Sequence, residues 1–463
     1  MGLVTPVPPV PVSELGAVHF AGIGGAGMSG IARIMLARGV PVSGSDSAPS
    51  PQLDELAALG ARVHVGHSAS HLAGADTLVV SSAIRADNPE LAEARRRGLR
   101  ILHRAAALAS IMLGKQGIAV AGTHGKTTTT SMITTVLRHC GADPSYVIGG
   151  VLAETGRGAE LGSGPAFVAE ADESDGSFLM LAPDAAVVTC VEADHLDNYG
   201  SLAEIEAAFT AFAGRISAGG LLVACGDDDG ARSLAARFTV TGGAGTRLHA
   251  SGPAEVRIAL PGRHNALNAA AALALTAELG FAPGDVVAGL AAYAGARRRM
   301  ELKGQADGVR VLDSYAHHPT ELAADLKAAR DVADGGRVIA VFQPHLFSRT
   351  RIFAADFGAA LALADEAIVL DVYAAREDPE PGVTGRLVAD AVPGGRARFL
   401  PDKAAAPAAA AALAKPGDLV LTMGAGDVSA LGPPIVAALR ERAGDDHAGQ
   451  AGGQPGGRAD GRG

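Results

Sequence analysis

At 463 residues the chain is too long for one ordinary hydrophobic core, so two to four domains are expected. Lys and Arg total 39 against 49 Asp and Glu, a formal charge of −10, and with no Trp there is no aromatic–basic interleaving, which argues against nucleic acid as a partner. Cys140, Cys190 and Cys225 are isolated and read as reduced thiols; no basic leader region and no bilayer-length apolar run is seen, so a cytoplasmic location without a membrane partner is expected.

The first elements in chain order are strand 17–21, a glycine loop and a helix running to Ala37, followed by strands 41–43 and 77–82. The loop carries Gly22-x-Gly24-Gly25-x-Gly27, a dinucleotide-type fingerprint in which a diphosphate would sit at the helix N-terminus. Asp46 follows at about the 20-residue spacing of a ribose-binding acid. The fingerprint alone does not name the nucleoside: NAD and a nucleotide-diphosphate sugar both fit, and so does a plain tight turn.

The next block opens with strand 117–121, the loop Gly122-Thr123-His124-Gly125-Lys126-Thr127-Thr128, and a helix predicted over 131–138. Strand, glycine loop, Lys-Thr and helix form a phosphate cradle: backbone N–H groups take the anion, Lys126 adds a point charge and the Thr127 hydroxyl can hold Mg²⁺. The match is partial, because the first glycine of the usual pattern falls at Val120. Strands 166–170, 185–190 and 220–224 follow. The first of these ends in a crowd of acids, Glu170, Asp172, Glu173 and Asp175, and the second is followed by Glu192, Asp194 and His195. Carboxylates this close need a cation to compensate them, and hard oxygen donors suit Mg²⁺; a solvated acidic loop is the plainer alternative. Further on, Asn265 and Asn268 open a helix, where one could cap it and the other could pair with a purine edge.

Arg297, Arg298 and Arg299 stand at the junction with the third block, as a clamp for phosphoryl charge or as an ordinary charged linker. That block has strands 309–313, 337–342, 366–371 and 418–422 alternating with helices. Tyr315, His317 and His318 follow its first strand, and His345 and Arg349 its second, so these polar groups share one rim of a parallel sheet. Adjacent histidines do not share a helix face, so substrate contact is preferred to metal ligation.

The fold class is therefore α/β in three domains: a Rossmann-like domain at 14–110, a central P-loop ATPase-type domain with a parallel sheet at 111–296, and a second Rossmann-like domain at 297–443, followed by a disordered tail at 444–463.

Taken together the motifs resemble the Mur ligase family over roughly residues 16–440. They are HFAGIGGAGMSGIA at 19–32, GTHGKTTTT at 122–130, AEADESDGSF at 169–178, EADHLDNYG at 192–200, GRHNALNAAAA at 262–272, RRM at 298–300, DSYAHHPTEL at 313–322, FQPHLFSRTR at 342–351 and MGAGDV at 423–428. The resemblance is to the members that add L-alanine. It implies an ATP-dependent, ADP-forming ligase joining L-alanine to the lactyl carboxylate of UDP-N-acetylmuramate through an acyl phosphate, with Mg²⁺ as cofactor and Mn²⁺ as a substitute. It implies UDP-sugar contacts at Gly22, Gly24, Gly25, Gly27, Asp46 and Ser82, and ATP contacts at Gly122 to Thr128, Asn265, Asn268 and Arg298. Lys126, Glu170, His195, Arg299 and His317 become catalytic, Thr127, Glu170 and His195 hold metal, and Tyr315, His317 and Arg349 line the alanine and carboxylate region. Two departures stand out. Several sister ligases carry a carbamylated lysine where Phe209 to Ile216 has none, and some alanine-adding relatives carry an arginine where Leu346 stands. The alternatives are a recycling ligase that attaches a tripeptide to the same UDP-sugar, a P-loop nucleotide switch and an NAD-dependent oxidoreductase.

Overall fold

The computed structural model describes residues 3–240, 258–375 and 377–451 of the chain, and it divides into two compact units, Met1–Arg297 and Arg298–Gly463. The first unit holds two sheets. Strands β1 (Val18–Ala21), β2 (Val42–Asp46), β3 (Arg62–Val65), β4 (Thr77–Val80) and β5 (Arg100–His103) form a five-stranded, wholly parallel sheet in the order 3-2-1-4-5. Strands β6 (Gln116–Ala121), β7 (Ser145–Val147), β8 (Ala159–Glu160), β9 (Ala166–Glu170), β10 (Ala185–Val188) and β11 (Leu221–Ala224) form a six-stranded sheet in the order 11-10-6-9-7-8, parallel except for β8. In both sheets the glycine loop leaves a strand at which the order reverses, β1 in the first and β6 in the second, and the crevice there is the place for a ligand.

The two sheets of this unit share one apolar core. Met28, Ile31 and Ile34 of the helix Ala26–Ala37 and Leu108 and Ile111 of the helix Arg104–Met112 lie in one cluster with Val147, Ala159, Phe178 and Leu181. A Cβ added at Gly30 would stand 3.0 Å from Ala159 Cβ, so the first helix rides directly on the second sheet. The 110/111 boundary thus falls between sheets but inside a single compact unit.

The second unit is built on β12 (Glu301–Ala306), β13 (Val309–Ser314), β14 (Val338–Phe342), β15 (Glu366–Val369), β16 (Ala397–Phe399) and β17 (Leu419–Met423), in the order 12-13-17-14-15-16. Among the described strands of this sheet only β12 runs antiparallel, and it carries a register shift between Leu302 and Gly304. The chain steps from β13 over β17 to β14, which sets the loops after β13, β14 and β17 side by side.

Several elements differ from the sequence reading. β3, β5, β7, β8, β12 and β16 were not expected; most are sheet-edge or very short strands without the buried run that marks a central parallel strand. The helix expected from Ser131 begins at Lys126, and Thr hydroxyls along it bond back to its own carbonyls: Thr130 and Thr134 donate to the carbonyls of Lys126 and Thr130, each at 2.8 Å. The disordered tail expected from residue 444 is also modified. The last helix runs Gly432–Ala451, and residues 452–463 lie outside the described residues.

Candidate active site

The phosphate loop is shaped by two glycines in left-handed backbone, Gly122 at φ 132° and Gly125 at φ 82°. Gly122 has no room for a side chain: a Cβ there would lie 2.0 Å from Thr189 Oγ1. The loop is stitched to the end of β10, with Thr123 N donating to Cys190 O at 3.0 Å, Glu192 N to Thr123 Oγ1 at 2.9 Å, and His124 N to Cys190 Sγ at 3.2 Å. Burial pushes the Cys190 thiol up to about 12, so it serves as a packing atom behind the loop and not as a nucleophile.

Lys126 is the first residue of the helix. Its ammonium donates to the carbonyls of Gly122 at 2.7 Å and Thr123 at 3.2 Å, and pairs with Glu173 at 2.8 Å. Burial opposes its charge, yet Glu173, Asp172 and Glu170 outweigh that and hold it protonated well above the ordinary lysine range. Glu173 is the acid in this run that the sequence reading noticed without assigning; nothing in the spacing separates it from Glu170. His195, at φ 53°, has Nε2 3.7 Å from the same Glu173 carboxylate and 3.5 Å from Asp194, so it stands beside Lys126 with Glu173 between them.

Glu170 lies at the carboxyl end of β9. It accepts from Gly149 N at 2.9 Å, while a Cβ at the next residue, Gly150, would lie 2.9 Å from Thr127 Cγ2. Thr127 and Glu170 thus each touch one residue of the Gly149-Gly150 pair, and a hydroxyl and a carboxylate are donors of the kind that holds Mg²⁺. In the lysine-free stretch at 209–216, Phe209, Phe212 and Ala213 are buried while Thr210, Ala211, Gly214 and Arg215 are exposed; Phe209 and Phe212 face Phe178 at ring separations of 5.3 and 5.0 Å.

Asn265 does not cap its helix. Gly262 is the N-cap, and the Asn265 amide reaches back to Pro261 O at 2.7 Å. Asn268, one turn on, sits against the phosphate loop, where a Cβ at Gly125 would come within 2.7 Å of its Oδ1.

At the first glycine loop, Gly22 and Ile23 donate to Ser45 O at 2.8 and 3.0 Å, and Gly24 N donates to Asp46 Oδ2 at 2.9 Å. Asp46 thus braces the loop it was expected to complement. Gly25 caps the helix Ala26–Ala37 without a side-chain cap hydrogen bond. Next to Gly27 stands Arg104, which the sequence reading missed: a Cβ on Gly27 would lie 3.4 Å from Arg104 Nη1, and Arg104 Nη2 donates to Asp172. Arg104 and Lys126 hold the Asp172 carboxyl well below the usual carboxylate range against the upward push of burial. Ser82 donates to Asp175 and lies 3.2 Å from His103 Nε2, so the first loop region and the acidic run of β9 are wired together inside one unit.

The run of three arginines is divided at the boundary between the units. Arg297 is exposed and belongs to the first unit. Arg298, at φ 62°, donates to Gly424 O at 2.6 Å and Gly426 O at 3.1 Å, which ties it to the loop after β17. The guanidinium groups of Arg298 and Arg299 both stand over the Tyr315 ring, 4.8 and 5.4 Å from its centroid, and Arg299 also lies 3.7 Å from Glu321. The histidine pair also divides. His318 caps the helix Pro319–Ala333, whereas His317 turns aside, with Nδ1 3.1 Å from Tyr315 O and 3.2 Å from Glu321, and its ring edge-on to Tyr315 and His345. Arg349 is buried in the first turn of the helix Phe347–Leu361, close enough that its charge acts on the Tyr315 phenol. Leu346, just before it, is buried in left-handed backbone at φ 71°.

Known proteins align with this chain in the same three parts. Residues 17–116 match the Mur ligase family catalytic domain, residues 120–247 the Mur ligase middle domain, and residues 298–426 the Mur ligase glutamate ligase domain. The UDP-N-acetylmuramate–L-alanine ligase of Thermobifida fusca (strain YX) is 56% identical over 479 residues, covering 95% of this chain and 100% of that protein. Among solved structures, the UDP-N-acetylmuramate–alanine ligase of Thermotoga maritima has a TM-score of 0.76 at 28% identity, covering 93% of this chain and 99% of its own. A murein peptide ligase from Psychrobacter arcticus 273-4 has a TM-score of 0.68 at 25% identity, covering 92% and 98%.

Proposed function

This chain belongs to the Mur ligase family, and from that premise we propose that it is the ADP-forming ligase that joins L-alanine to UDP-N-acetylmuramate in cytoplasmic peptidoglycan precursor synthesis. The observation that carries the reading is the β6 phosphate loop, with the Lys126 ammonium held between Gly122 O and Glu173 and with His195 beside that Glu173. Identity of 56% to an alanine ligase, against 25% to a murein peptide ligase that covers as much of the chain, favours L-alanine over a tripeptide as the acceptor. An NAD enzyme would leave the phosphate loop idle, and a nucleotide switch would leave the first and third sheets idle.

In this reaction a lactyl carboxylate oxygen attacks the γ-phosphorus of ATP, and ADP departs. The amine of L-alanine adds to the acyl carbon of the resulting acyl phosphate. Collapse of the tetrahedral adduct expels phosphate, and the nitrogen loses a proton. The protein's part is placement and charge stabilisation. Lys126 would hold the transferring phosphoryl group from the loop side. Asn268, beside Gly125, would contact the nucleotide, with Asn265 shaping the turn before it. Thr127 and Glu170, with His195 beyond Glu173, are donors that fit Mg²⁺, which when bound neutralises phosphate charge. Because Arg298 is tied to the β17 loop, Arg299 is the better candidate for the phosphoryl contact. Tyr315, His317 and Arg349 would receive the amino acid. The first glycine loop, with Ser82, would take the UDP-sugar.

ADP release from Mg-ATP with UDP-N-acetylmuramate, with and without L-alanine, glycine, serine and the tripeptide, tests the proposal. Release that requires both the UDP-sugar and L-alanine is expected. Release with tripeptide alone moves the chain to recycling, and release indifferent to any acceptor removes the ligase reading.

A further inference from the structure

Beneath the first glycine loop lies a fully buried carboxylate, Glu90, outside every motif considered so far. It is the second residue of the helix Pro89–Arg97, whose N-cap Asn88 accepts from Glu90 N at 2.9 Å. Glu90 Oε2 accepts the Ser45 hydroxyl at 2.7 Å and lies 3.2 Å from His67 Nδ1. Glu90 Oε1 accepts from Ser68 N at 3.3 Å and lies 3.0 Å from His71 Nδ1 and 3.6 Å from His19 Nε2. His64 stacks on His71 with ring centroids 4.0 Å apart. One carboxylate thus gathers β1, β2, the turn after β3 and a helix.

Its link to the glycine loop is short. The Ser45 whose hydroxyl Glu90 holds is the residue whose carbonyl receives Gly22 N and Ile23 N. The next residue, Asp46, receives Gly24 N on its carboxylate and Gly66 N on its carbonyl at 2.7 Å. We propose that Glu90 is a positioning residue for the UDP-sugar: through Ser45 and the Gly66–His71 turn it fixes the end of β2 from which the glycine loop hangs. The proposal rests on the reading of that loop as the UDP-sugar site. A carboxylate suits the position because it only accepts, and donors converge on both oxygens. A glutamine would set an NH₂ against one of them and leave a buried donor unsatisfied.

The test compares the wild type, Glu90→Gln and Ser45→Ala by calorimetric binding of UDP-N-acetylmuramate and by steady-state kinetics. About a tenfold rise in Kd and KM for the UDP-sugar is expected in Glu90→Gln and a smaller rise in Ser45→Ala, with kcat and the KM for ATP nearly unchanged. If Glu90→Gln does not fold, Ser45→Ala decides alone. Wild-type enzyme that binds no UDP-N-acetylmuramate overturns the site reading itself. Wild-type binding with unaltered affinity in the folded variants overturns the role of Glu90 only, and so does a matching rise in the KM for ATP, which marks a general structural defect.

Discussion

At the residue scale the decisive object is the Lys126–Glu173 pair. The Glu173 side chain is only 3% exposed, so removing the lysine alone strands a buried carboxylate, at a cost of about 3–5 kcal/mol. Lys126→Ala is expected to lower turnover by at least about a thousandfold, and part of that loss would be instability. The double variant Lys126→Ala/Glu173→Gln removes the stranded charge. It should recover most of the thermal stability and none of the ADP release, while UDP-N-acetylmuramate binding stays near wild type; recovered turnover would deny Lys126 its role. Glu90 gives a pH signature. Burial would raise its pKa, but the nearby His19 ring and hydrogen bonds from Ser45 and His71 outweigh that and hold it down at about 2. A depressed carboxyl stabilises the fold above its unfolded pKa and loses that contribution as pH falls through the folded value. Glu90→Gln should therefore be less stable than wild type by about 3 kcal/mol near neutrality. The gap should close between about pH 4.5 and 2, as read from urea midpoints along that range; a gap independent of pH would show that shape, not charge, sets the cost.

At the scale of the element, the turn from β6 into its helix is set by backbone that only glycine adopts readily. Gly122→Ala combines a φ of 132° with a Cβ 2.0 Å from Thr189 Oγ1. It should destabilise the protein by about 1–3 kcal/mol and raise the KM for ATP far more than that for the UDP-sugar. Equal changes in both constants would mean that the turn supports the whole unit and not the nucleotide site. Much of this element was legible in the sequence, because glycine placement and Lys-Thr at a helix start are local chemistry. The start of the helix at Lys126 was not, since Thr hydroxyls that bond back to helix carbonyls look the same in sequence as Thr residues that favour a strand. The edge strands were missed for a related reason: a strand buried on neither face carries no apolar run.

At the scale of the whole molecule, the second unit has its own cores on both faces of its sheet, centred on Phe342, Phe357 and Leu421 on one side and Ile339, Val341 and Val420 on the other. Two units with separate cores should not unfold as one. Scanning calorimetry is expected to resolve two transitions, and UDP-N-acetylmuramate should raise the one belonging to the first unit, because a ligand stabilises only the state that binds it. A single transition raised by the UDP-sugar would show that the units unfold as one.

The sequence by itself determined three α/β blocks, the two glycine loops and the chain-long likeness to one ligase family. All of these are written in periodicity and short-range spacing. Only the tertiary structure decided which acid meets Lys126, which arginine is tied to the β17 loop, which histidine caps a helix and which faces Tyr315, and that Asp46 braces a loop. It also joined the first two blocks into one unit. Each of these outcomes depends on the register between strands distant in sequence, where a shift of one residue exchanges the side chain that reaches the site for the one that turns away.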